Sequence, residues 1–289
     1  MDRLTTLRRG RLVFDVRDDG PDDGEPVVLL HGFPQDSSCW GKVAPLLHQV
    51  GLRTLALDQR GYSPGARPPG RGAYRLSWVA ADVVALLDAA GLARAHLVGH
   101  DWGGAVTWAV AADAPERVAS ATVLSTPHPR AFARALPRSD QPLRSWYILF
   151  EQLPALPELL LRAGLQRGLR DRGLPAADAA RYARRMREPG ALTGALNWYR
   201  AIPFYATALP GRVRVPVTYV FGEHDFALSR SAAEGSAALV DGDYRFVALD
   251  AGHWLPETRP DEVARAVVDR VRSARGDLHH GHPDGLWDN

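Results

Sequence analysis

An α/β class, with a mostly parallel sheet flanked by helices, is predicted by three features of this 289-residue chain. Short continuous apolar runs, such as Val27-Val28-Leu29-Leu30 and residues 54–57, read as strands buried on both faces. Stretches with helical spacing lie between such runs, as in Val79, Val83, Leu86 and Leu87. This alternation implies right-handed crossovers within one sheet. The third feature is a block over about residues 130–210, where helical patterns broken by Pro and Gly contain no convincing strand. It is read as a helical lid inserted after the sixth strand. Such a segment sits over the carboxyl ends of the strands, where open α/β sheets bind ligands.

Taken in order, residues 4–16 alternate in β fashion around Gly10, an opening antiparallel hairpin. The strand at 27–30 runs into His31-Gly32-Phe33-Pro34, with a helix expected over 39–49. The strand at 54–57 leads into Asp58-Gln59-Arg60-Gly61-Tyr62-Ser63 and a Pro- and Gly-rich loop. A helix follows over 77–90 with Ser77 as its cap. Leu97-Val98 then enters Gly99-His100-Asp101-Trp102-Gly103-Gly104, and a helix continues to about 113 before a strand at 118–124. Beyond the insertion, a strand at 215–221 delivers Gly222-Glu223-His224-Asp225-Phe226. A helix near 231–239, a strand at 244–249, Gly252-His253-Trp254 and a helix over 261–272 complete the unit. The expected organisation is thus core 1–129, lid 130–210 and core 211–275. Residues 276–289 lack apolar periodicity and are read as a disordered tail, with His279, His280 and His282 solvated rather than metal-binding.

Composition narrows the class of function. Hydrophobic residues make up 46% of the chain, enough for a large core. The 35 basic and 33 acidic residues nearly cancel, and no basic stripe suggests a nucleic-acid partner. No run reaches the ~18 apolar residues of a membrane span, and the opening MDRLTTLRRGRLVFDV lacks a signal-peptide stretch. Cys39 is the single cysteine, which excludes an intrachain disulfide and a cysteine-based metal site. The expectation is a cytoplasmic monomer or homodimer acting on a small molecule, with no cofactor, metal or membrane partner.

The stretch around Asp101 carries the chemistry. Gly99-x-Asp101-x-Gly103 between strand and helix has the form of a nucleophile elbow, a turn so sharp that the central side chain is forced outward. A carboxylate is a poor nucleophile toward esters and amides, because it leaves again readily. It suits displacement at a saturated carbon, forming an alkyl ester that water later opens. Asp101, Asp225 and His253 follow one another at strand ends, so His253 is placed to activate that water and Asp225 to hold its ring. Glu223 is the nearest rival to Asp225. Taken alone, the elbow would equally suit Asp101 as an ordinary helix cap.

On these stretches the sequence resembles the α/β-hydrolase superfamily, and specifically the epoxide hydrolases with an aspartate nucleophile. The matches are His31-Gly32-Phe33-Pro34, Asp58 to Ser63, Gly99 to Gly104, Leu196-Asn197-Trp198-Tyr199-Arg200, His224-Asp225-Phe226 and Gly252-His253-Trp254. They span about residues 10–272. The resemblance implies backbone N–H groups of Phe33 and Trp102 as the oxyanion hole. It implies Tyr199 as the acid that protonates the epoxide oxygen, since a phenol is protonated at neutral pH. His31 and Pro34 are expected at the substrate pocket, His31 as a structural residue, with either isomer open for the bond before Pro34.

One departure concerns the second tyrosine that these enzymes supply from an early lid helix. Anchoring Ser145-Trp146-Tyr147-Ile148-Leu149-Phe150 on Phe150 places Trp146 at that position, four residues earlier on the same helical face. Trp146 is then expected to orient the oxygen, with Tyr147, turned by about 100°, in reserve. Together with Phe150, Trp198, Phe204 and Tyr205 these aromatics imply a sizeable apolar substrate. The leading expectation is hydrolysis of an apolar epoxide to a vicinal diol. A haloalkane-type dehalogenase uses the same three groups and needs N–H donors for a halide, for which Trp102 and Trp146 are candidates. A non-catalytic ligand-binding protein on the same fold is the third reading.

Overall fold

The computed structural model describes residues 3–204, 206 and 208–276. Tyr205 and the histidines at 279, 280 and 282 lie outside the described residues. Eight strands form one sheet: β1 (Thr6–Arg9), β2 (Leu12–Asp19), β3 (Glu25–Leu30), β4 (Leu52–Leu57), β5 (Ala95–His100), β6 (Val118–Leu124), β7 (Val217–Gly222) and β8 (Tyr244–Leu249). They lie in the order β1-β2-β4-β3-β5-β6-β7-β8. The opening hairpin β1–β2 and the β2–β4 pair are antiparallel, and every later pair is parallel. Residues of β4, β5, β6 and β7 are buried throughout, which is why these strands read as unbroken apolar runs. β8, with one free edge, is only partly covered.

Helix Trp102–Asp113 is buried from Gly103 to Ala111, so it lies under other elements instead of on the surface. Its close approach to β5 needs Gly99, because a Cβ there would overlap the carbonyl oxygen of Gly103. Three helices differ from expectation. The expected 39–49 helix splits into a 3-10 turn at Ser37–Gly41, opened by Asp36 accepting from Ser38 N–H at 2.9 Å, and an α-helix at Val43–Gln49. Ser77 lies inside helix Leu76–Ala89 and does not cap it. The 231–239 segment breaks into Arg230–Glu234 and a 3-10 turn at Ala237–Leu239.

Between β6 and β7 the chain forms helices Pro129–Ala135, Gln141–Arg144, Trp146–Phe150, Leu156–Asp171, Ala176–Arg185 and Ala191–Arg200. This insertion is bonded to the loops at the strand ends. Trp198 Nε1 donates to the Arg60 carbonyl at 2.7 Å, Tyr182 Oη to Glu257 Oε1 at 2.7 Å, and Arg144 Nη1 to the Asp225 carbonyl at 2.6 Å. The loop that receives Trp198 is itself fixed by a buried bidentate pair, Arg60 with Asp82, at 2.8 and 2.7 Å. Removing one partner of such a pair leaves an uncompensated buried charge, a cost of about 3–5 kcal/mol. The insertion therefore rests on a stiff platform.

Candidate active site

Asp101 sits between β5 and the Trp102 helix at φ 50° and ψ −122°, a conformation that non-glycine residues rarely adopt. Its side chain makes no capping bond to the helix. It turns instead to the loop after β3, where Phe33 N–H donates to Oδ1 at 2.8 Å. The backbone N–H of Trp102 donates to the same carboxylate. Gly32 is required by this approach, since a Cβ there would overlap the Asp101 carboxylate. Burial raises the Asp101 pKa, and the charge of His253 with the two N–H donors works against that rise.

His253 and Asp225 come from the loops after β8 and β7. His253 Nδ1 lies 2.8 Å from Asp225 Oδ2, and Nε2 lies 3.7 Å from Asp101 Oδ2. The other oxygen of Asp225 accepts from the backbone N–H groups of Ala227 and Leu228 at 2.8 and 3.1 Å, which fixes the carboxylate. The rival Glu223 is at the surface, paired with Arg230 at 2.7 Å. Burial pulls the His253 pKa down, but the charge and hydrogen bond of Asp225, then the charges of Asp101 and Glu257, outweigh it and push it up to about 9. Supports that the sequence did not reveal hold the His253 backbone: His100 Nε2 lies 2.8 Å from its carbonyl, and Ser125 Oγ donates to it at 3.0 Å. His100 and Ser125 stand directly after or within strand ends, where no spacing rule marks them.

Aromatic rings of the insertion pack on the two residues whose N–H groups hold Asp101. Tyr199 is 5% exposed, with ring centroids 5.0 Å from Trp102 and 5.6 Å from Phe33, both edge to face. Tyr147 approaches Tyr199 at 6.0 Å. Burial, followed by the nearby negative charges that include Asp101, holds both phenols well above their ordinary pKa. Both tyrosines are therefore protonated across the neutral range.

The expectation for Trp146 is corrected. Trp146 is 59% exposed, and its ring packs on Phe150 at 6.3 Å. The four-residue spacing does put the two on one face, but that face is the outer one. Tyr147, a third of a turn round, is the residue turned toward Tyr199. Trp198 and Phe204 take places other than expected, while His31 sits structurally within its loop. Trp198 is fully buried, with its N–H committed to Arg60. His31 is fully buried, with Nδ1 3.0 Å from the Gly32 carbonyl and Nε2 accepting from Gln59 N–H at 3.1 Å, so it shapes the loop. Phe204 is 41% exposed beneath the guanidinium groups of Arg71 and Arg75. Pro34 is buried and follows a cis bond from Phe33.

Among the described residues, no group of three or more His, Cys, Asp or Glu side chains is arranged to hold a metal ion. No helix among them is long and apolar enough to cross a membrane.

Comparison with known proteins gives the family. The profile of the alpha/beta hydrolase fold matches residues 25–260. The chain is 35% identical to Epoxide hydrolase A of Mycobacterium tuberculosis, over 85% of this chain and 90% of that protein. It is 34% identical to the AB hydrolase superfamily protein YfhM of Bacillus subtilis, over 88% and 92%. The crystal structure of Epoxide Hydrolase A from Mycobacterium thermoresistibile superposes with a TM-score of 0.80 at 28% identity, covering 92% of this chain and 97% of that one.

Proposed function

The chain belongs to the α/β-hydrolase fold family, alongside epoxide hydrolases, and we propose that it opens apolar epoxides to vicinal diols through a covalent ester on Asp101. Asp101 attacks an epoxide carbon, the carbon–oxygen bond of the ring breaks, and Tyr199 gives its proton to the released oxygen. Tyr147 donates a second hydrogen bond to that oxygen. The ester carbonyl stays on the N–H groups of Phe33 and Trp102. Esterification removes the Asp101 charge, one of those that hold the His253 pKa up. With that charge gone the His253 pKa falls, so more of the ring is in the neutral form that can take a proton from water.

The observation that carries this reading is the carboxylate at the positive-φ elbow, with the Asp225–His253 pair 3.7 Å from it and the buried phenols of Tyr199 and Tyr147 packed against Trp102 and Phe33, Tyr147 through Tyr199. The insertion then serves as a lid whose aromatic underside favours an apolar substrate.

A specific feature favours dehalogenation as the second reading. Trp102 Nε1 is buried without a hydrogen-bond partner among the described residues, a donor free for a halide. Its intended companion Trp146 is largely exposed, which weakens that reading. Epoxides and haloalkanes incubated with the protein, with diol and free halide both measured, separate the two. Diol from epoxides and no halide above background is the expected result. Halide release faster than diol formation would reverse the assignment.

A further inference from the structure

Glu151 is a buried acid for which the mechanism above has no use. It follows the helix that carries Tyr147, and its turn is bonded to the end of the helix that carries Tyr199. Gln152 Nε2 donates to the Tyr199 carbonyl at 2.8 Å, while Arg200 donates to the carbonyls of Glu151 and Leu153 at 2.9 and 2.7 Å. Glu151 is 5% exposed, and its Oε2 is enclosed with no hydrogen-bond partner among the described residues. Arg200 does not neutralise it, because that guanidinium is held bidentately by Glu158 at 2.6 and 2.9 Å. An ionised carboxylate left unpaired in such a place is strongly disfavoured, so the group carries a proton.

We propose that Glu151 is the proton reserve of the site, re-protonating Tyr199 after Tyr199 has given its proton to the opened epoxide. This rests on the Asp101 ester reading. The ionisable groups coupled electrostatically to Glu151 are Asp101 from the elbow, Tyr147 from the preceding helix, Tyr199 and Arg200 from helix Ala191–Arg200, and Tyr62 from the loop after β4. Burial and then Asp101 push the Glu151 pKa up to about 9, against the pull of Arg200. When Glu151 is ionised, its charge acts on Tyr199 more strongly than any other. Glu151 is therefore protonated at neutral pH, yet it is a stronger acid than the Tyr199 phenol to which it is coupled.

The protons balance over the cycle. Attack by Asp101 leaves an ester and a tyrosinate at Tyr199, and Glu151 then gives its proton to the tyrosinate and becomes a carboxylate. Water loses a proton to His253 and adds to the ester carbonyl carbon. The carbon–oxygen bond to the product breaks, His253 returns its proton to the departing oxygen, and Asp101 is left as a carboxylic acid. That last proton restores Glu151, so epoxide and water give diol with every group reset. The charge of Asp101 sets the timing. Esterification removes the neighbour that raises the Glu151 pKa, so Glu151 is most acidic while the tyrosinate is present. Hydrolysis restores that charge and returns the proton.

Glu151→Gln keeps the size and neutrality of the protonated side chain but has no proton to give, and Glu151→Asp keeps the acid. Stopped-flow single turnovers follow ester formation and the near-ultraviolet difference absorbance of ionised tyrosine, and kcat is measured from neutral pH to about pH 10. In Glu151→Gln, ester formation should stay within about threefold. The tyrosinate signal should outlast that of the wild type, and kcat should fall at least tenfold, toward the range of a lost general acid. The wild-type kcat should decline as pH rises through about 9, where Glu151 loses its proton. In Glu151→Gln that decline should vanish. His253 titrates in the opposite sense, because its neutral form is the active base, so it does not imitate this limb. Glu151→Asp should recover part of kcat and the alkaline limb. An unchanged kcat, tyrosinate decay and pH profile in Glu151→Gln would overturn the proposal. So would an equal loss in ester formation and kcat, which would make Glu151 a residue that merely positions Tyr199. Absence of any ester in the wild type would instead remove the Asp101 reading beneath it.

Discussion

His253→Ala is expected to leave the protein alkylated on Asp101, with turnover lowered by about 10⁴-fold or more, the scale on which loss of an acting base is felt. Attack by Asp101 does not need the imidazole. The carboxylate is held by Phe33 N–H at 2.8 Å, and its approach is set by the strained elbow and not by His253, whose Nε2 stands 3.7 Å away. Hydrolysis does need a base, and His253 with Asp225 is the buried pair positioned to supply one. On this account the ester is expected to form and persist, and peptide mass analysis after incubation with epoxide should show the substrate mass added to the Asp101 peptide. Asp101→Asn should show neither turnover nor adduct. If His253→Ala lost turnover without any adduct, His253 would be acting in the first step.

Tyr199→Phe is expected to slow ester formation by roughly 10²–10⁴-fold, the range of general acid catalysis. The effect should lie in the first step, because an epoxide oxygen leaving without a proton is the difficult event. Tyr147→Phe should cost less, since it removes a hydrogen bond while Tyr199 still supplies the proton. Trp146→Phe should be nearly silent in kcat, because that ring lies outside against Phe150. Single-turnover rates of the three variants against one epoxide order them directly. A loss at Trp146 as large as that at Tyr147 would contradict the inward and outward faces described here.

What was legible in the sequence was what backbone geometry enforces. Gly99-x-Asp101-x-Gly103 marked the elbow because Gly99 cannot carry a Cβ beside the following helix, and the structure has Asp101 at positive φ there. The buried strands showed as apolar runs, and their ends delivered Asp225 and His253 within 2.8 Å of each other. Asp225 was preferred to Glu223 from the sequence, and the physical difference lies in three dimensions, where backbone N–H groups fix one and a surface arginine takes the other. The helix Trp146–Phe150 was illegible for a different reason. It has five residues, apolar or aromatic at every position, so periodicity says which side chains share a face but not which face is inward. Glu151 escaped notice because a carboxyl at a helix end usually reads as solvated. Its burial depends on helix Ala191–Arg200, about forty residues later in the chain.

The covalent ester on Asp101 is tested most directly by a single turnover in ¹⁸O-water with enzyme in excess over epoxide. If Asp101 attacks carbon, the oxygen added to the epoxide comes from its carboxylate, and solvent oxygen enters Asp101 when the ester is hydrolysed at its carbonyl carbon. The expected result is largely unlabelled diol with ¹⁸O in the peptide that contains Asp101. Labelled diol in the first turnover, with no label on Asp101, would mean that water attacks the epoxide directly and would contradict the account.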